Sequence, residues 1–296
     1  MENIKIWSEK IFGYQLLDSG EKEKLEEIGG LKIKRSEPRA WWRKTVDSKE
    51  YQAVGEKQKK ELEEIIDIGI GEIKAKIKFK AGSKHIGIFP EQAAEWKWIK
   101  EKVASSQQLA AREIKVLNLF GYTGIASLVA AKAGAKVTHV DASKQSVDWA
   151  RENQKLSGLE DAPIRWIVDD VVKFLKKEKN RLAQRSLGEV GGERYDAIIM
   201  DPPSYGKGPK GEVWKIEEQL PDLMKYCREI LSDKPLFIIM NMYSTELSSI
   251  SIANLLSDAT KGLGGQIEFG ELVIKQENSE RLLPMSIFAI WENKNK

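Results

Sequence analysis

The chain has 296 residues, with 48 Lys and Arg against 45 Asp and Glu, a net charge of +3, and 41% hydrophobic residues. That length can bury a sizeable core and suits one large and one small domain. One cysteine excludes a disulfide framework and fits a reducing cytoplasm, the two histidines lie too far from it in sequence to suggest a metal cluster, and no apolar run reaches the length of a membrane span.

The opening MENIKIWSEK carries two Glu and no apolar h-region, so no signal peptide is expected. LKIK (31–34) and EIKAKIKFK (72–80) alternate at period two, as half-buried strands do. SEPRAWW and KEYQAVGEKQKK suggest turns and loops between them. The second strand would put Lys74, Lys76, Lys78 and Lys80 on one face and Ile73, Ala75, Ile77 and Phe79 on the other. LKIKRSEPRAWWRK adds Lys32, Lys34, Arg35, Arg39, Arg43 and Lys44, with Trp41 and Trp42. A basic face with nearby aromatics suits phosphate contacts and base stacking. A solvated strand face over a small core accounts for the same pattern equally well.

PEQAAEWKWIKEKVASS (90–106) reads as a helix begun by Pro90. From 115 onward, buried strands alternate with helices. KVLNLF, KVTHVD (136–141), IRWIV (164–168), YDAIIM and PLFIIMN (235–241) are the strands, and Ser143 and Gly158 punctuate the second helix. The charged run 176–194 reads as a helix end and a surface loop. GQIEFGELVIK and MSIFAIW have only a short polar connection and are expected to be antiparallel. The pattern implies a doubly wound, mostly parallel sheet. The organisation expected is a small β-rich domain over 1–85, a linker helix within 86–110 and the large α/β domain over 111–296.

Ligands of such sheets sit outside the carboxyl ends of the strands. Gly121 and Gly124 follow the first strand, where glycine lets backbone approach a ligand near a helix N-terminus. Asp141 closes the second strand, where a carboxylate can grip two ribose hydroxyls. Asp169 and Asp170 close the third, where an acid can accept from an adenine amino group. The spacing also suits a dinucleotide, although the full G-x-G-x-x-G is absent. DPPSYGKGPKG (201–211) follows the fourth strand, and its prolines fix the corner stiffly. The Asp201 carboxylate and the Pro202 carbonyl form two fixed acceptors, as an exocyclic amine with two N–H donors requires, and Tyr205 could stack on a base. A dehydrogenase has no use for this corner, which tips the balance against NAD.

VLNLFGYTG, HVDAS, VDD and DPPSYGKG resemble the motifs of class I S-adenosylmethionine-dependent methyltransferases. HIGIFPEQAAEW, DPPSYGKGPKGEVWK and LLDSGEKEKLE…EPRAWW are similar to a bacterial branch related to large-subunit rRNA methyltransferases, and the resemblance covers nearly the whole chain. It implies an α/β, Rossmann-like methyltransferase sheet with an antiparallel last strand, and a small N-terminal β-rich domain. It implies S-adenosylmethionine held near Asn118, Phe120, Gly121, Tyr122 and Gly124. Asp141 would lie on the ribose beside Ala142 and Ser143, Asp170 and Val171 by the adenine, and Gln92 over the cofactor from the N-terminal side. Asp201, Pro202 and Tyr205 would be catalytic, with Pro203, Ser204, Lys207 and Lys210 toward the substrate. RNA would be the partner, in the cytoplasm, with neither metal nor membrane required.

Two departures bear on mechanism. The usual acid of the first motif is Asn118 here. Relatives that methylate carbon 5 of cytosine carry a cysteine after the fifth strand, for covalent attack on the ring. This chain has NMYSTELSS there, and Cys227 shares a helix face with Leu223 and Leu231. Carbon-5 methylation by that route is therefore disfavoured, and direct displacement by a nitrogen lone pair is expected. Oxygen or ring-nitrogen acceptors, a protein or small-molecule substrate, and a non-catalytic RNA-binding relative stay open.

Overall fold

The computed structural model describes residues 4–46, 52–53, 62–79, 85–110, 112–185, 192–208, 210–243 and 247–294. Lys80 and most of the expected loop at 49–60 lie outside the described residues.

The chain begins with β1 (Lys5–Trp7), then β2 (Tyr14–Gly20), β3 (Glu23–Ile28), β4 (Leu31–Ser36) and β5 (Gln52–Ala53), of which the last four form one sheet. β6 (Leu62–Asp67) and β7 (Lys74–Phe79) make an antiparallel pair. β7 alternates as its sequence demands, with Ala75, Ile77 and Phe79 buried and Lys74, Lys76 and Lys78 on the other face. That face is not a bare cationic surface. Lys76 pairs with Glu63 at 2.7 Å and Glu152 at 3.3 Å, and Lys78 lies 4.7 Å above the Trp149 ring. β2 and β3 were not anticipated, because polar residues interrupt them. Asp18, Lys24 and Glu26 are buried in these strands, and Arg35 of β4 binds Glu26 through both nitrogens it presents. Burial works against the Glu26 carboxylate, but Arg35 and Lys24 outweigh it and hold the carboxyl down at about 2.

A 3-10 turn, Pro90–Gln92, leads into α1 (Ala93–Ala110). The large sheet then follows: β8 (Lys115–Leu119), α2 (Ile125–Lys132), β9 (Lys136–Asp141), α3 (Lys144–Leu156), β10 (Ile164–Val168), α4 (Val171–Arg185) and β11 (Ala197–Met200). The ribbon β12 (Tyr205–Lys207) and β13 (Val213–Lys215) precedes α5 (Ile216–Ile230), β14 (Phe237–Tyr243), α6 (Ser249–Ala259), β15 (Gln266–Lys275) and β16 (Leu282–Glu292). Helix α4 thus runs well into the stretch read as loop, and the loop after Asp201 folds back as a short antiparallel ribbon.

Strand order is β1-β15-β16-β14-β11-β8-β9-β10. The pairs from β10 to β14 are parallel, and β16 is antiparallel to both β14 and β15, as the short polar connection required. β1 pairs in parallel with β15, so the first strand of the chain belongs to this sheet. Alternate residues feed two cores. Val116, Ala197, Ile199 and Ile239 pack with α1, α2 and the N-terminal strands, whereas Leu117, Ile198, Met200 and Ile238 pack with α4, α5 and α6. The order reverses between β8 and β11, which opens a crevice at their carboxyl ends. Among the described residues no helix is long and apolar enough to cross a membrane.

Candidate active site

The register sets the carboxyl ends of five strands side by side: Leu119 faces both Val140 and Met200, Met200 faces Met240, and Val168 faces Asp141. The residues just beyond β8 and β11 meet in a cleft lined by Phe89, Gln92, Glu95, Asn118, Phe120, Gly121, Tyr122, Thr123, Asp201 and, from within β14, Asn241, over an apolar floor that includes Trp96 and Ile199, whereas Asp141 and Asp170 at the ends of β9 and β10 stand outside this lining.

The loop after β8 is tightly determined. Phe120 and Tyr122 hold φ of 55° and 48°, and Gly124 holds 81°. Positive φ at a bulky residue is uncommon and persists where surroundings impose it. Here the Tyr122 N–H donates to Asp141 Oδ2 at 2.9 Å, and the Thr123 hydroxyl donates to the Gly87 carbonyl at 2.7 Å. The Phe120 ring packs 5.1 Å from Trp214. A Cβ on Gly121 would lie 2.4 Å from the His139 ring, and one on Gly124 would lie 2.8 Å from the Ala150 methyl. Only glycine fits either position. Asn118, buried, donates to the Ser127 hydroxyl at 2.8 Å, which in turn meets His139 Nδ1 at 3.0 Å. Burial drives the His139 pKa down to about 3, so the ring is neutral.

Asp141 closes β9 with one oxygen on Tyr122 N–H and the other on Ser143 N–H at 2.8 Å. Burial raises its carboxyl, and these two bonds lower it. A carboxylate has about four acceptor sites, so both oxygens keep capacity for hydroxyl donors. Ala142 is half-buried beside it, and Ser143, exposed, caps α3 by accepting from Ser146 N–H at 3.2 Å. The two acids after β10 differ. Asp169 is bound to Lys177 at 2.6 Å, whereas Asp170 spends one oxygen capping α4 through Lys173 N–H. Val171 is 1% exposed and packs in the core, so only its backbone can face a ligand.

On the other side of β8, Gln92 and Asp201 come together although 109 residues apart: the Gln92 amide donates to Asp201 Oδ2 at 2.6 Å. Burial pushes the Asp201 carboxyl up to about 6 even against that bond. Pro202 is buried, while Pro203, Ser204, Tyr205, Lys207 and Lys210 are exposed. The corner is braced by Trp214, whose indole N–H donates to the Pro203 carbonyl at 2.5 Å, and by Ile216 N–H donating to the Ser204 carbonyl at 3.1 Å. Cys227 is fully buried in the α5 core, where burial raises its thiol far above the usual range. It is not among the residues that line the cleft.

Within FPEQ (89–92), the stretch expected over the cofactor, sequence reasoning chose Gln92 and not Phe89, and it missed Thr123, Glu95 and Asn241. Glu95 and Asn241 are each 2% exposed, and Asn241 Nδ2 donates to Glu95 Oε2. A signal existed for both. Glu95 shares a helix face with Trp96, Ile99 and Val103, and Asn241 is a polar residue late in an otherwise apolar strand. The N-terminal segment also reaches this wall. The Arg39 guanidinium lies 4.9 Å over the Tyr243 ring, which in turn meets Phe89 at 6.2 Å.

Comparison with known proteins bears on the fold and the family. The family model of S-adenosylmethionine-dependent methyltransferases matches residues 48–232. A solved S-adenosylmethionine-dependent methyltransferase from Agrobacterium tumefaciens is 39% identical, with a TM-score of 0.88, over 98% of this chain and 94% of that one. A putative methyltransferase solved with S-adenosylhomocysteine shares the fold at 19% identity, with a TM-score of 0.63, over 96% of this chain and 76% of that one. Among curated relatives, ribosomal RNA large subunit methyltransferase I of Klebsiella pneumoniae (strain 342) is 38% identical over 92 residues, 31% of this chain and 20% of that protein. Methyltransferase K of Neisseria meningitidis serogroup B is 28% identical over 186 residues, 62% of this chain and 46% of that protein. The chain thus spans less than half the length of these two curated relatives. With a family model matched over more than half of its length and a solved relative alike over nearly all of it, this chain is a member of the S-adenosylmethionine-dependent methyltransferases.

Proposed function

We propose that this chain transfers a methyl group from S-adenosylmethionine to an exocyclic amine of an RNA base, with large-subunit rRNA the leading substrate. The residues present fit the cofactor. Gly121 and Gly124 leave backbone where any side chain would collide, Asp141 keeps acceptor capacity for ribose hydroxyls, and Asp170 keeps one oxygen for an adenine amino group. When bound, the cofactor supplies an electrophilic methyl on a sulfonium, and alignment then provides much of the acceleration.

This chain's own part is positioning. Gln92 fixes the Asp201 carboxylate, which with the Pro202 carbonyl would accept the two N–H donors of the target amine and favour positive charge developing on nitrogen. Tyr205, 55% exposed beside this corner, offers a face on which the base can stack. The fixed carboxylate at the switch point carries the reading. Burial of Cys227 argues against transfer through a thiol adduct. The curated relatives, named for large-subunit rRNA, support the substrate.

One observation favours a second reading, a protein or small-molecule substrate. Several cations expected to face phosphate are already paired, as in Lys34 with Glu23, Arg39 with Glu37, and Lys76 with Glu63. Titrating a large-subunit rRNA fragment at increasing salt separates the two readings. An affinity that falls linearly in logarithm with salt supports RNA, and no measurable affinity at low salt removes it.

A further inference from the structure

Within the cleft, one pair of groups is left unsatisfied by the protein itself. Asn241 Nδ2 donates to Glu95 Oε2, and Glu95 Oε1 and Asn241 Oδ1 are left without a partner, although both residues are 2% exposed. A buried acceptor left without a partner is costly, because it has given up its water. Two of them in one wall are the mark of a group that donates from the cleft. Both residues line that cleft together with Asp201 and the loop after β8.

We propose that Glu95 and Asn241 receive the α-ammonium of the methionine part of S-adenosylmethionine. The inference rests on the cofactor reading above and names one subsite within it. An ammonium carries three N–H donors and a full positive charge, so it meets both acceptors at once. The surrounding carboxyls acquire the matching sign when an arriving cation favours their ionised forms. Glu91, 2% exposed with an unpartnered Oε2, and Asp201 both act electrostatically on Glu95. Among the described residues no three His, Cys, Asp or Glu side chains stand so as to hold a metal ion, and an N–H cation suits this arrangement better.

Strand order gives the same polarity. With ribose at the end of β9 and adenine at the end of β10, the rest of the cofactor must run the opposite way, over β8 toward β11 and β14. Asn241 is on β14, and Glu95 stands in the first turn of α1, one helical step after Gln92.

The test is titration calorimetry with S-adenosylhomocysteine and with 5′-methylthioadenosine, which keeps the nucleoside and lacks the amino-acid tail. Glu95→Gln should weaken S-adenosylhomocysteine roughly 10- to 100-fold and leave methylthioadenosine within about twofold. Equal losses for both ligands, or no loss for either, overturn the assignment. A second measurement needs only the wild-type protein. An S-adenosylhomocysteine analogue with a hydroxyl replacing the α-amine should bind at least about tenfold more weakly, and equal binding overturns the assignment whatever the variant does. A wild type that binds methylthioadenosine but shows no preference for the amine sinks this inference alone. A folded wild type that binds neither nucleoside sinks the cofactor reading with it.

Discussion

Gly121→Ala is expected to disable the cleft while leaving the protein folded. The added methyl would stand 2.4 Å from His139 Cε1 and 2.5 Å from Nδ1, where ordinary contact begins near 3.4 Å. About 1 Å of overlap must therefore be relieved (3.4 − 2.4 = 1.0). The imidazole cannot retreat: it is fully buried, bonded to Ser127, and packed 4.7 Å from Trp166. The loop 120–124 has to give instead, and it holds Phe120 and Tyr122 at positive φ. Overpacking of this kind costs roughly 1–3 kcal/mol, a fall in melting temperature of about 2–10 °C for a chain of this size. Displacing the cradle by about 1 Å should weaken S-adenosylhomocysteine about 10- to 100-fold. Thermal denaturation and calorimetry read the two effects separately. His139→Ala in the same background removes the obstruction, so the double variant should recover about 1 kcal/mol or more relative to additivity. Wild-type affinity in Gly121→Ala, or strict additivity in the double variant, would refute the steric reasoning.

Three further outcomes follow from buried and exposed groups. Burial pushes the Glu95 carboxyl up to about 8, Glu91 to about 7 and Asp201 to about 6, so between about pH 4.5 and 8 the folded state holds protons that the unfolded chain has released. Ligand-free protein should therefore melt higher at about pH 5.5 than at about pH 8, and Glu95→Gln should flatten the upper part; a melting temperature that rises across this window contradicts it. Glu26, held down at about 2, acts oppositely and only in stronger acid, where its stabilisation is lost as pH falls below about 4.5. Cys227→Ala should cost about 1–2 kcal/mol by melting and leave methyl transfer unchanged, whereas a folded but inactive variant would revive a thiol adduct. Trp41 is 82% exposed, so Trp41→Ala should change stability by less than about 0.5 kcal/mol and weaken RNA binding by about 1–3 kcal/mol if a base stacks there. Unchanged RNA affinity would remove Trp41 from the contact.

The large sheet was legible because its strands are near-continuous apolar runs closed by Gly or Asp, the pattern of strands buried on both faces. β11 is buried at every position, and the corner after it is stiff for the reason its prolines gave. The N-terminal strands β2 and β3 were not legible. Alternation assumes that polar residues face water, but Lys24 and Glu26 face one another and Arg35 inside the protein, and buried Asp18 accepts from the backbone N–H groups of Thr45 and Val46. β1 gives three residues of signal, and its partner β15 lies some 265 residues later (Gly270 against Lys5), which no local pattern reveals. Strand-end logic put Asp141, Asp170 and Asp201 at the carboxyl ends of β9, β10 and β11, where they stand, but not the difference between Asp169 and Asp170, which depends on Lys177 one helix face away. Val171 follows Asp170 in sequence, yet the helix it opens turns its side chain into the core. Glu95 was hidden because a carboxylate on an apolar helix face makes sense only once Asn241 is seen across from it.

The central claim, amine methylation of RNA positioned by Asp201, is tested most directly by label transfer. Tritiated methyl from S-adenosylmethionine would be offered to large-subunit rRNA lacking its modifications, with wild-type protein and with Asp201→Ala, and the RNA digested to nucleosides. Label in an N-methylated nucleoside, reduced at least about 100-fold by the substitution, is the predicted result. Label on carbon 5 of a pyrimidine, or equal transfer by Asp201→Ala, would contradict the account.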